Sequence, residues 1–193
     1  MKLPTVAPYP YNTYDHAPEA SEFVLTSSAF DDGGMLPPQQ RSGIFGVDGG
    51  MDESPPLSWS GFPPDETKSF VVTCYDPDAP VVSGFWHWVV YDVPADVTSL
   101  EAGAGKADGD GIAPLLPDGA KVLRNDAGMR GYVGAAAPPD HGMHRYQFVV
   151  TAMACERIPG LPEDGSASPA LLHSRMNRNG IVGRAILTGL FGR

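Results

Sequence analysis

Asp76, His87, His144 and Tyr146 are the residues whose types could do chemistry together. Two imidazoles, a phenol and a carboxylate could hold a phosphoryl group or another small anion, because His N–H and Tyr O–H donate to its oxygens. A carboxylate is an odd neighbour for an anion. Its expected task is to accept a proton from one histidine, fixing that ring's tautomer so that the opposite nitrogen faces the ligand. Each residue also has a plainer reading. A single histidine in an aromatic strand is more often satisfied in a core or at a surface, and Tyr146 could cap the core with its hydroxyl in water. Asp76 and Asp78 flank Pro77 as turn formers do.

The elements that must position these groups follow from strand periodicity, since residues two apart share a face. Phe70, Val72, Cys74 and Asp76 fall on one face, as do Phe85, His87 and Val89, and His144, Tyr146, Phe148 and Val150. Asp76 continues an apolar row, whereas Asp78 lies beyond the strand, so Asp76 is assigned to the pocket and Asp78 to holding the loop. Arg145 faces away from His144 and is assigned a structural role. His141 precedes His144 in a loop near the rim and is left out of the candidate set; His16 and His173 have no supporting context. Alternation alone does not bring the three faces together.

Three function classes fit this set: a binding module for an anionic group, a hydrolase using His and Asp for acid–base work, and a metal protein built on two histidines and a carboxylate. The hydrolase lacks a Gly-x-Ser-x-Gly nucleophile elbow. The metal reading lacks compact ligand spacing. The binding module ranks first, with no cofactor and no metal ligand assigned.

The runs Asp76-Pro77-Asp78-Ala79-Pro80, Gly84-Phe85-Trp86-His87-Trp88 and Gly142-Met143-His144-Arg145-Tyr146 resemble the phosphatidylethanolamine-binding protein family. Ser54-Pro55-Pro56-Leu57-Ser58-Trp59-Ser60-Gly61 and the closing Leu187-Thr188-Gly189 are similar to its bacterial Raf-kinase-inhibitor-like branch. The resemblance runs from about Phe23 to the C-terminus. It implies a mainly β fold of two packed antiparallel sheets with short C-terminal helices. It also implies an anion pocket at Asp76, His87, His144 and Tyr146, with Phe85 or Trp86 as aromatic wall and Pro80, Gly134 and Ala136 at the rim. Ala137 departs from a loop that often holds a proline or cysteine nearby. The implied function is non-catalytic binding of phosphate, a phospholipid headgroup, a phosphoprotein group or an acetate- or sulfate-like anion, with a regulatory or inhibitory role toward a protein partner. A homodimer is implied as well. A shared fold does not by itself transfer lipid binding or kinase inhibition.

Composition sets outer bounds. The 193 residues suit one domain with a real core. With 23 glycines, 20 prolines and 19% charged residues, the chain points to short strands and many turns rather than a helical bundle. A net charge of −10 disfavours nucleic acid or an anionic membrane as partner. No stretch is long enough to cross a bilayer. Met1-Lys2-Leu3-Pro4 onward does not read as a secretory signal, and Cys74 and Cys155 read as free thiols, so a cytoplasmic location is expected.

Along the chain, residues 1–20 read as an extended proline-rich arm and residues 21–193 as a single domain. Strands are predicted at Phe23–Ser27, Leu57–Trp59, Ser69–Tyr75, His87–Asp92 and Arg145–Ala154, with a weaker one at Tyr132-Val133. Glu101–Gly119 is expected to be a mobile excursion. Its Gly103-Ala104-Gly105-Lys106 fragment fails as a phosphate loop, since Ala107 stands where Ser or Thr is needed. Ser168-Pro169 signals a helix start, with a short helix over Ala170–Met176 and a second expected at Ile181–Ile186.

Overall fold

Val, Phe, Trp and Tyr crowd the segments 69–76, 85–94 and 144–153, and in the computed structural model each of these is a long strand. The structure describes residues 13–15, 17–106 and 114–193. In chain order the strands are β1 (Ser21–Glu22), β2 (Val24–Thr26), β3 (Gly34–Met35), β4 (Leu57–Ser60), β5 (Ser69–Asp76) and β6 (Phe85–Pro94). There follow β7 (Ser99–Leu100), β8 (Lys121–Val122), β9 (His144–Met153), the helix α1 (Pro169–Met176) and β10 (Ile181–Phe191).

One sheet runs β1-β10-β9-β5-β6-β8 with β3 also on β10, and a smaller sheet runs β2-β4-β7. The pairs β10–β9, β9–β5 and β5–β6 are antiparallel, while β1 and β3 join β10 in parallel. Both faces of β5 are covered. Phe70, Val72 and Cys74 pack toward the small sheet with Trp59, Trp88 and Phe148, whereas Val71 packs with Val89, Tyr91, Leu172 and Met176 beneath α1. The mainly β architecture of two sheets matches the expectation.

The structure revises four expectations. Ile181–Ile186 is not a helix but the first half of β10, which pairs with β9 from Ile181 to Phe191. Small and apolar residues at every second position, Gly183, Ala185, Leu187, Gly189 and Phe191, are what a half-covered strand needs. Among the described residues α1 is thus the one α-helix, capped as expected by Ser168, whose hydroxyl accepts from Leu171 N–H. Tyr132-Val133 is not a strand, although its backbone N–H groups bond to Gly105 and His87.

Within the expected excursion Gly103, Ala104 and Gly105 are buried, while Glu101, Ala102 and Lys106 are exposed. Ala104 is fully buried, and a Cβ on Gly105 would lie 2.7 Å from the Tyr132 side chain and 2.9 Å from Trp88. Residues 107–113 lie outside the described residues, as does most of the proposed arm. The grouping of Phe85, His87 and Val89 also fails at its last member. Cys74 pairs with Trp88 but Tyr75 pairs with Trp86, so His87 is the extra residue of a β-bulge. Beyond it Val89 belongs to the layer under α1, while Trp88 enters the core.

Candidate functional site

Three strand ends deliver the polar groups to one cavity of about 370 Å³. Asp76 closes β5, His87 sits in the bulge of β6, and His144 and Tyr146 open β9. Because β5 lies between β6 and β9, the register places Asp76 opposite Phe85 and Tyr75 opposite Gln147. Of the expected residues, Asp76, Pro80, Phe85, His87, Ala136, His144 and Tyr146 line the cavity.

Trp86 and Gly134 do not. Successive strand residues face opposite sides, so Trp86 turns to the other face, with its ring 4.4 Å from Tyr75 and 4.8 Å from His173. Phe85 is therefore the aromatic wall. Gly134 serves the backbone of the neighbouring loop: its N–H donates to Asp52 Oδ1 at 2.8 Å, and Arg41 leaves no room for a Cβ.

Asp76 and the histidines form a buried chain of hydrogen bonds. His144 Nδ1 lies 2.7 Å from Asp76 Oδ2, and His144 Nε2 lies 2.7 Å from His141 Nδ1. Asp76 Oδ1 accepts from Asp78 N–H at 2.8 Å. The expectation that the carboxylate orients a histidine therefore matches the geometry. The expectation that the far nitrogen faces the ligand does not, because His141 occupies it. Asp78 holds the loop as assigned: its fully buried carboxylate receives the Arg145 N–H, Nε and Nη2 at 2.8–2.9 Å.

His87 Nδ1 is 2.8 Å from the Val133 carbonyl and must carry the proton there, leaving Nε2 bare when the ring is neutral. Burial lowers its pKa below the ordinary histidine value, against the raising effect of Asp76. Burial keeps the Tyr146 phenol protonated, with its pKa well above the usual value. Its oxygen accepts from Ala136 N–H at 3.1 Å, so its own proton is not used in that bond.

Sequence reasoning missed Phe45, Ala79, Val81, Pro138, Pro139 and Arg193 in the lining. Phe45 stands edge-on to Phe85 with ring centres 6.2 Å apart. Arg193 is pinned by its Nε to the Ala137 carbonyl at 2.8 Å, and Asp140 N–H donates to its carbonyl at 2.7 Å. Nothing in strand periodicity marks a residue from a remote loop or beyond the last strand. His141 had one available signal, its glycine-containing i, i+3 spacing from His144.

Tyr146, whose phenolic proton is not used in the Ala136 bond, and Arg193 line the cavity with an apolar wall, beside an imidazole held by a carboxylate. Among the described residues no group of three or more His, Cys, Asp or Glu could hold a metal ion. No described helix is long and apolar enough to cross a membrane.

The phosphatidylethanolamine-binding protein family model matches residues 26–192. The Escherichia coli protein YbcL is 44% identical over 164 residues, covering 85% of each chain. YbhB of the same organism is 42% identical over 167 residues, covering 86% of this chain and 98% of its own. The crystal structure of E. coli YbcL, described as a new member of the mammalian PEBP family, superposes with a TM-score of 0.80 at 40% identity, over 90% of this chain and 99% of its own. A PEBP homologue from Chlamydia trachomatis, CT736, gives a TM-score of 0.69 at 29% identity over 90% and 99%. With the motifs at three strand ends, the two-sheet fold and matches over most of its length, this chain belongs to the phosphatidylethanolamine-binding protein family.

Proposed function

We propose that the cavity binds a small phosphate-containing or similar anion, free or as a phospholipid headgroup or phosphoprotein group, without turning it over. Occupancy would then regulate or inhibit a protein partner, in the cytoplasm and from a homodimer. The observation that carries this reading is that Tyr146 and Arg193 line one cavity together with the apolar Phe45, Phe85 and Pro80. Charge-assisted hydrogen bonds to an oxyanion are stronger than neutral ones. Apolar walls strengthen them further by excluding water.

Hydrolysis is the second reading, because the Asp76–His144 pair at 2.7 Å has the form of an oriented general base. Against it, both His144 nitrogens are engaged, and burial raises the Cys74 thiol well above its usual range, away from thiolate reactivity. The test is calorimetric titration with a phosphate monoester, followed by assay for released product. Saturable binding with the ester intact is the expected result. Product release that is abolished in His144→Ala and unaffected by chelator would make the protein a hydrolase. No binding of any phosphate ester or sulfate would end the anion reading.

A further inference from the structure

His141 is only 1% exposed, and its Nδ1 meets the one His144 nitrogen that Asp76 leaves over. With Asp76 ionised and both rings neutral, two protons satisfy the chain. One lies on His144 Nδ1 toward Asp76, and the other is donated by His141 Nδ1 to His144 Nε2. A third proton, taken from solvent, converts His144 to imidazolium. Its Nε2–H then donates to His141 Nδ1, whose own proton moves to Nε2.

We propose that His141 is a positioning residue that lets His144 take up a proton when an anion enters the cavity, so that anion binding is coupled to proton uptake by the Asp76–His144–His141 chain. The inference rests on the anion reading of the cavity. Before uptake the chain carries the charge of Asp76, and a second anion beside it is repelled. After uptake the chain is neutral. Linkage is reciprocal, so an anion that favours the extra proton is itself bound more tightly by the protonated form.

The role of His141 is to accept. A buried imidazolium N–H without an acceptor carries a large desolvation cost, and His141 Nδ1 supplies that acceptor. Burial and the neighbouring His144 hold His141 itself below the ordinary histidine pKa, so it starts neutral. The other charged and titratable groups around the pair do not substitute for it. Asp78 is tied to Arg145, His87 is directed at Val133, Tyr146 remains a phenol, Arg193 is fixed to Ala137, and Asp140 in the same loop is exposed.

The test uses sulfate, which does not titrate between pH 6 and 8, so any proton taken up belongs to the protein. Calorimetry in two buffers of different ionisation enthalpy counts protons per bound sulfate. Wild type should take up close to one proton where affinity changes most, with affinity falling about tenfold per pH unit as pH rises through that window. His141→Leu, which has no acceptor, should lose both the uptake and the slope. His141→Asn, whose amide oxygen can accept the Nε2–H, should retain them. Sulfate binding with no proton uptake in wild type, or uptake unchanged in His141→Leu, overturns the coupling while leaving the anion site standing. Failure of sulfate and phosphate to bind at any pH overturns both.

Discussion

At the scale of single residues, His144 and His87 line the cavity but are held differently, one between Asp76 and His141 and the other on a backbone carbonyl. Neither neutral ring has an N–H left for the ligand, so replacing either by Ala should weaken binding of a phosphate monoester severalfold, at His144 because Asp76 loses its partner and at His87 because the cavity loses part of its wall. Titration calorimetry checks this, with circular dichroism confirming that the fold is kept. Trp86→Ala is the contrasting variant. Its ring packs at a tilt against Tyr75 and His173 on the face away from the cavity, so ligand affinity should stay within twofold of wild type while stability falls.

Arg145 gives a prediction of the opposite kind. Arg145→Met strips the guanidinium from a carboxylate with 0% side-chain exposure. Leaving a buried charge unpaired costs several kcal/mol, and because the backbone N–H of residue 145 still reaches Asp78, the loss should be about 3 kcal/mol. Urea unfolding midpoints measure it.

At the scale of elements, the bulge in β6 does the most for the site. It spends one extra residue so that His87 can face the cavity while Trp88 turns into the core beside it. Trp88 in turn fixes the 101–106 segment, because only a residue without a Cβ fits between Trp88 and Tyr132 at Gly105. Gly105→Val should therefore destabilise the protein by about 1–3 kcal/mol through overpacking, read from the thermal or urea midpoint. A mobile excursion would have tolerated the change. Apolar residues at every second position in β10, paired to β9 over its full length, made the strand prevail over the helix expected from Ile181–Ile186.

At the scale of the whole molecule, buried neutral histidines set the response to acid. Burial lowers the pKa of His87, His141 and His173, so each binds its proton more weakly folded than unfolded. At pH above the unfolded value of about 6.5 neither state is protonated and these groups contribute nothing to the pH dependence. As pH falls below it, the unfolded chain gains protons first and stability is lost, by up to about 1.4 kcal/mol per pH unit for each histidine. Urea midpoints measured from pH 7.5 down to 5.5 should fall, and replacing His173 with Gln should remove part of the decline.

Assembly belongs to the same scale. If the proposed homodimer forms, light scattering reports twice the chain mass, and a monomer at all workable concentrations would remove that claim. Tyrosine suits an interface core, which makes Tyr9, Tyr11 and Tyr14 of the proline-rich arm candidates for one, but Tyr14 lies against its own sheet. Its hydroxyl bonds to Thr73, its ring sits 4.9 Å from the Arg184 guanidinium, and burial pushes its pKa up to about 12. Tyr14→Ala should consequently lower stability without changing the mass in solution. Tyr9 and Tyr11 lie outside the described residues.

The sequence by itself determined the strands that carry the site and the family to which they belong, because alternation and short motifs are local. Phe70, Val72, Cys74 and Asp76 share a face in any strand of that composition, and the core confirms the apolar three. Asp78 and Arg145 were assigned structural roles from their places beyond and opposite the inward rows, and they are found paired. What only the tertiary structure decided is non-local. A bulge is defined by the partner strand, so periodicity in β6 alone misplaced Val89, while the choice between Phe85 and Trp86 as cavity wall stayed open until the sheet was formed. Arg193 reaches the cavity because the second residue after β10 meets the loop at Ala137, and His141 enters the chain because its loop brings its ring onto His144. The Arg193–Ala137 contact joins residues whose sequence separation carries no signal, and packing is what creates it.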